Sequence, residues 1–252
     1  KVVGKCRYLT KAQKVGHAGT LDPLATGVLP IAFGEATKTI PYIMDAEKTY
    51  QFTVTWGEAR STDDAEGDVS DQSDKRPSRE EILKILPEFT GRIKQIPPAY
   101  SAIKIDGKRA YDLARAGQEF EIKEREVEIY ALNLLDSTLE NATFEVQCSK
   151  GTYVRSLGRD IALKLGTFGY ISMLRRTKVG SFDLGSTISL VKLEELVHSA
   201  PLEEWILNVV TVLDDILALA VTEEQADFLK NGGFLSRDSL PPSSLTGVTY
   251  KA

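Results

Sequence analysis

Cysteine and histidine are nearly missing from this sequence. Its 252 residues hold two of each: Cys6 and Cys148, His17 and His198. Neither set has the spacing of a zinc site, so thiolate or imidazole metal centres are not predicted. Two thiols so far apart also argue against a disulfide framework and fit a reducing, cytoplasmic compartment. No apolar run approaches the roughly 20 residues of a membrane-spanning helix, so no membrane partner is predicted. A phosphate-cradling GxxxxGK[ST] loop is absent too, because 34-GEATKT-39 has no second glycine before its lysine. No cofactor is predicted.

What remains is ordinary soluble material with an uneven charge distribution. Apolar residues make up 42% and charged residues 27%, enough for a well-buried core. The net charge of −5 taken alone argues against a polyanionic partner. Its distribution argues otherwise. Residues 1–20 carry five Lys or Arg and no acid, and residues 150–180 carry seven against Asp160. The acids gather in 58–90, where ten face five bases. An acidic protein with a basic face still binds polyanions. The chain opens at Lys1 with residues that read like the middle of a helix, so it is read as a piece of a longer protein.

Along the chain, Tyr50, Phe52, Val54 and Trp56 alternate with Gln51, Thr53 and Thr55, which predicts a half-buried strand ended by Gly57. Residues 60–77 are acidic and short of apolar anchors, and predict a loop. Ser78 and Glu81 form a capping box for a helix over about 79–86. The run 96–117 predicts a strand, an Asp-Gly turn at 106–107 and a short helix ended by Gly117, with Lys104, Lys108 and Arg109 making the unit basic. Strands are predicted over 125–135 and 142–148. The class is α+β, with a mixed, mainly antiparallel sheet and flanking helices. The register changes near residue 214, which divides the chain into 1–213 and a small β domain over 214–252, cut short.

The loop 19-GTLDPLATG-27 sets Asp22 before Pro23. Proline pushes Asp22 to extended geometry and favours the first helical position, so Asp22 reads first as an N-cap. The functional alternative is a carboxylate presented between glycines that let a ligand approach the backbone. A second anomaly lies in 149-SKGTYVRSLGRDIALKLG-166. Val154, Leu157, Ile161 and Leu165 define a helix face, with Thr152 as N-cap and Gly166 as terminator. Arg155 then falls at the third helical position, where the positive end of the helix disfavours a cation. A carboxylate partner is the simplest repair, and an Arg–Asp pair is bidentate and directional. Tyr50 by itself reads as core, and His17 as a polar turn residue. Together these residues describe a site of one carboxylate, one phenol and one guanidinium.

The run 16-GHAGTLDPLATGVLPIAFGEATK-38, followed by 47-EKTYQF-52, 97-PPAYSAIKIDGKRAYDLAR-115, 148-CSKGTYVRSLGRDI-161 and 174-LRRTKVG-180, resembles the bacterial TruB type of tRNA pseudouridine synthase. The resemblance spans about residues 1–185 through five motifs in order. It implies isomerisation of uridine 55 in the T-loop, with Asp22 as catalytic carboxylate, Arg155 as its catalytic partner, and Tyr50 as a catalytic residue stacked on the target base and a candidate for the final deprotonation at C5. It places His17 near the flipped base, and Tyr153 and Leu174 around the uracil. It makes the 98–117 unit, with Lys104, Lys108 and Arg109, a clamp on the T-arm stem-loop of tRNA. Arg175, Arg176 and Lys178 become phosphate contacts, and the C-terminal segment a partial PUA-like module of a monomeric enzyme. The competing class is a non-catalytic RNA-binding or tRNA-folding chaperone. A glycoside hydrolase would need a second carboxylate as general acid, and acids are plentiful only in 58–90.

Overall fold

The structure is a computed structural model that describes residues 1–213, except 102, 106 and 119, and residues 221–236. In chain order its elements begin with α1 (Val2–Thr10), β1 (Val15–His17), β2 (Thr26–Gly27), β3 (Ile31–Phe33), α2 (Ile40–Asp45), β4 (Lys48–Trp56), β5 (Glu58–Arg60) and β6 (Val69–Gln72). They continue with α3 (Arg79–Ile85), β7 (Gly91–Gln95), β8 (Lys104–Ile105), β9 (Lys108–Arg109), α4 (Ala110–Arg115), β10 (Arg125–Ser137) and β11 (Asn141–Cys148). The last are α5 (Val154–Lys164), β12 (Gly169–Val179), β13 (Phe182–Asp183), α6 (Leu190–Ser199) and α7 (Glu223–Lys230).

The main sheet runs in the order β13-β12-β4-β11-β10-β7, antiparallel at each step, and β2 joins β12 in parallel. The fold is therefore α+β with a mixed, mainly antiparallel sheet. On β4, Phe52, Val54 and Trp56 are buried, as their alternation predicts. Phe52 stacks on Phe144 of β11, ring centroids 5.2 Å apart. Helix α5 covers this face with Val154, Leu157, Ile161 and Leu165. It lies close because residue 158 is glycine: a Cβ there would come within 2.5 Å of Ile171 Cδ1 and 3.2 Å of Val54 Cγ2. The mid-helix cost of glycine is thereby exchanged for close helix–sheet packing.

Several local expectations shift. The Ser78–Glu81 capping box forms and starts α3. The stretch 60–77 is not a plain loop. It holds β6, which pairs with β5, and the turn between them is latched to β12 by Ala65 N–H to Ile171 O and Ile171 N–H to Asp63 O, both 3.0 Å. The unit 96–117 contains a hairpin, β8 with β9, before its helix α4, and Asp106 of the turn lies outside the described residues. Thr152 does not cap α5. Its hydroxyl donates to Ser149 O, and Tyr153 is the N-cap without a side-chain bond, so Arg155 is the second helical residue rather than the third.

The chain divides into two compact units, Lys1–Val212 and Leu213–Ala252. In the second, α7 begins at a capping box between Thr222 and Gln225, and residues 214–220 and 237–252 lie outside the described residues. Among the described residues no helix is long and apolar enough to cross a membrane.

Candidate active site

Asp22 is not an N-cap. Pro23 and Leu24 form a tight turn, closed by Ala25 N–H to Asp22 O at 2.9 Å, and no helix follows. The carboxylate turns instead to Arg155. Nε donates to Oδ2 at 2.9 Å and an Nη2 hydrogen to Oδ1 at 3.2 Å, a bidentate pair across 133 residues. The local signal for a cap is real, but a tertiary cation outcompetes the backbone N–H groups a helix would have supplied.

Arg155 is the hub of the site. It is 5% exposed and also donates to Thr62 O at 2.9 Å and to Tyr100 O at 3.0 Å. A second carboxylate shares it: Asp64 Oδ2 is 3.6 Å from Nε. Asp64 is buried, and its Oδ1 accepts from Thr62 Oγ1 at 2.5 Å and Glu66 N–H at 3.0 Å. The expectation of a single site carboxylate is thus corrected. Asp64 comes from the acidic run that reads as solvated loop, and the β5–β6 turn carries it inward. Its side chain is 3% exposed, whereas that of Asp22 is 36% exposed. One aspartate is sealed in with Arg155, and the other keeps about a third of its side chain exposed.

The neighbouring Asp63 sits at φ 60°, an uncommon backbone for a residue other than glycine, and pairs with Arg159 Nη1 at 3.0 Å. Arg159 also holds Asp160 at 2.9 Å and donates to Ile96 O. Burial raises the carboxyl pKa of both Asp63 and Asp160, opposed by the Arg159 charge.

Tyr50 is half-buried on β4, and burial pushes its phenol up while the adjacent Arg176 guanidinium opposes this. The phenol therefore stays protonated at neutral pH. Arg176 corrects a further expectation. It is 1% exposed, with Nε to Val28 O at 2.8 Å and Nη2 to Gly19 O at 3.0 Å. It anchors both ends of the loop that carries Asp22 and is not a surface phosphate contact. Gly27, at φ 99°, lies so close that a Cβ would collide with the Arg176 carbonyl. The signal was present: Arg176 stands two residues from Leu174 on one strand, and period two puts both inside.

The remaining predicted residues divide. Leu174 is buried in the main core and Tyr153 is half-buried at the start of α5. His17 is half-buried on β1, and its Nδ1 meets no hydrogen-bond partner among the described residues. Lys108, Arg175 and Lys178 are exposed, while the side chains of Lys104 and Arg109 lie outside the described residues. The basic run 150–180 is also thinner than its count. Arg155 and Arg176 are buried, and Lys150, Arg159 and Lys164 are paired with Asp45, Asp63 and Glu88. Among the described residues, no group of three or more His, Cys, Asp or Glu is placed to hold a metal.

A partly exposed aspartate locked to a buried arginine beside a protonated phenol is a set of groups able to orient and polarise a bound molecule. Comparison with known proteins gives the family. Residues 7–154 match the TruB family pseudouridylate synthase N-terminal domain, and residues 155–218 match the tRNA pseudouridylate synthase B C-terminal domain. A tRNA pseudouridine synthase B of Caulobacter vibrioides is 54% identical over 231 residues, covering 91% of this chain and 74% of its own. That of Bradyrhizobium diazoefficiens is 55% identical over 256 residues, covering 99% and 74%. Among solved structures, a Cbf5-Nop10-Gar1 complex superposes with TM-score 0.74 at 26% identity, covering 95% of this chain and 65% of that one. An H/ACA RNP bound to a substrate RNA containing 2′-deoxyuridine gives TM-score 0.73 at 22% identity, a likeness of fold, over 95% and 64%. This chain therefore spans just under two thirds of the length of those two structures' chains. On the two consecutive domain matches and on relatives more than half identical, the chain belongs to the TruB family of pseudouridylate synthases.

Proposed function

We propose that this chain isomerises uridine 55 in the T-loop of tRNA to pseudouridine, with Asp22 as the catalytic carboxylate. Membership of a family whose close relatives are named tRNA pseudouridine synthase B supports the reaction and the tRNA substrate. The observation that carries the role of Asp22 is its bidentate pair with a buried arginine while a third of its side chain remains open. Bound on one side and free on the other, it is oriented for a reactant that arrives from solvent.

A uridine within a folded T-loop is extruded before any side chain reaches its glycosidic bond. The carboxylate then acts at the sugar, either by attack at C1′ or by removal of the C2′ proton, and the base separates. The base rotates, rejoins through C5 and loses the C5 proton. Tyr50 stacks on the base. Its raised phenol pKa favours this contact role over that of a base for the C5 proton. His17, Tyr153 and Leu174 complete the uridine pocket, and exposed Lys108, Arg175 and Lys178 meet backbone phosphates of the T-arm stem-loop. Residues 1–213 form the catalytic domain of a cytoplasmic monomer, and residues 214–252 open a C-terminal RNA-binding module.

The test is release of tritium to water from a T-arm stem-loop labelled at C5 of the target uridine. Wild type should release it, and Asp22→Asn should bind the RNA and release none. Asn keeps one acceptor for Arg155 and loses the other bond, but Arg176 still holds the loop at Gly19 and Val28, so the loop persists while the chemistry stops. RNA binding by wild type with no release would leave the chaperone class in its place.

A further inference from the structure

The cross-strand pair Gln95 and Arg125 has no role in the chemistry described above. The two residues are direct partners on β7 and β10, and both reach Tyr153. Gln95 is a fully buried polar side chain, 1% exposed, at the last position of its strand. Its Oε1 accepts from Tyr153 N–H at 3.1 Å and its Nε2 donates to Tyr153 O at 3.2 Å. Both functional ends of one amide are thus matched to the two polar groups of one backbone residue, 58 residues away. Tyr153 O is also the first acceptor of α5, taking Leu157 N–H at 3.0 Å. Arg125 covers the other aspect of the same residue. Its guanidinium lies over the Tyr153 ring, 5.4 Å from the centroid.

The position explains why such a bond is worth burying. Tyr153 is the N-cap of α5 and makes no capping bond with its own side chain. Two residues on, Arg155 must meet Asp22 to within tenths of an ångström while donating to Thr62 and Tyr100. An uncapped helix end frays, and fraying here would swing Arg155. The following residue of the same segment adds to the hold, since Ile96 O accepts from Ser156 Oγ at 2.8 Å and from Arg159 Nη2 at 2.9 Å.

We infer that Gln95 is a positioning residue for the isomerisation: through the Tyr153 backbone it fixes the start of α5, and with it the register of Arg155 on Asp22. The inference rests on the proposed function of the site. Gln95 acts through main-chain atoms of residue 153, so it serves whatever side chain stands there, while Arg125 lies over the ring and donates to Gly151 O at 3.4 Å. Loss of the amide therefore lowers turnover more than it weakens RNA binding.

Gln95→Glu and Gln95→Met, with wild type beside them, provide the test in the tritium-release assay. A carboxyl has the shape of the amide. Protonated, it donates to Tyr153 O and accepts from Tyr153 N–H, but ionised it sets an oxygen against that carbonyl. Burial favours the protonated form. Turnover of Gln95→Glu, divided by that of wild type at each pH, should rise as pH falls and approach wild type once the carboxyl is protonated. Gln95→Met keeps the volume and loses both bonds. Its kcat should fall on the order of tenfold to a hundredfold at every pH, with KM within about twofold. A Gln95→Glu profile parallel to wild type, or a folded Gln95→Met with unchanged kcat, would overturn the inference. If Gln95→Met does not fold, the pH response of Gln95→Glu alone decides. Absence of release by wild type would strike the proposed function instead, so the two failures are separable.

Discussion

At the scale of single residues, Arg155 carries the most interactions: two carboxylates and two backbone carbonyls converge on one guanidinium. Its rule-breaking place in the first turn of α5 made it legible in the sequence: the anomaly called for a carboxylate partner, and the family resemblance named Asp22. Asp64 was not legible. Nothing local separates it from nine other acids between residues 58 and 90, because burial is imposed by a distant arginine and a turn latched to β12. The cap that Asp22 first suggests fails for the same reason, since a local preference yields when a tertiary partner is stronger, while the alternative, a carboxylate paired with Arg155, is the arrangement found. The network predicts that Arg155→Ala loses turnover and stability together, by about 3–5 kcal/mol, because Asp64 is left charged and buried. Arg155→Lys should rescue little of either, as one ammonium cannot serve acceptors arranged for a planar fork. Thermal denaturation and tritium release on the same samples check this. Wild-type melting in Arg155→Ala would mean that Asp64 does not depend on the pair.

At the scale of elements, the sequence showed β4, β10, β11, α3 and α5 well, since each has clear periodicity or a capping box. It showed the β5–β6 hairpin poorly, because that hairpin is held by main-chain bonds to β12 rather than by an apolar face. Two substitutions separate an element that only supports the fold from one that also sets the site. Ser78→Ala removes the cap of α3 and should cost about 1 kcal/mol, a fall in melting temperature of about 2–4 °C, with turnover unchanged. Gly158→Ala adds a methyl group where α5 meets Ile171 and Val54. The helix-propensity gain of about 1 kcal/mol is offset by overpacking of about 1–3 kcal/mol. The larger consequence is a displaced α5, so turnover should drop along with stability. Full activity in Gly158→Ala would show that Arg155 tolerates movement of its helix.

The whole molecule shows its core through its thiols. Cys6 and Cys148 are both buried, and burial pushes the Cys148 thiol from 9.0 up to about 11. Neither should react with a thiol reagent near pH 8 in the native state, and both should react once the chain is unfolded. The folded pKa lies above the free value, so the stability that Cys148 contributes is complete below pH 9 and is lost as pH rises through about 11. Melting temperature should fall across that window in wild type, and less in Cys148→Ala. Equal falls would assign the loss to other groups.

Net charge says little about where an acidic molecule offers cations, and the folded arrangement revises which basic residues are exposed. Of three basic residues within four positions, Arg175 and Lys178 are exposed, whereas Arg176 is buried against the loop of Asp22. A phosphate contact releases counterions, so its removal lowers the salt dependence of binding by about one unit of log–log slope. Arg175→Ala/Lys178→Ala should weaken T-arm binding at low salt and flatten the slope by about two, with the melting temperature unchanged. Arg176→Met should do the reverse. It frees the carbonyls of Gly19 and Val28 and removes the charge that opposes the upward shift of the Tyr50 phenol. Stability and turnover fall while the salt slope stays as in wild type. Binding isotherms at four or so salt concentrations for the three proteins distinguish the roles. A flattened slope in folded Arg176→Met would return that arginine to the RNA surface and leave the loop of Asp22 without its anchor.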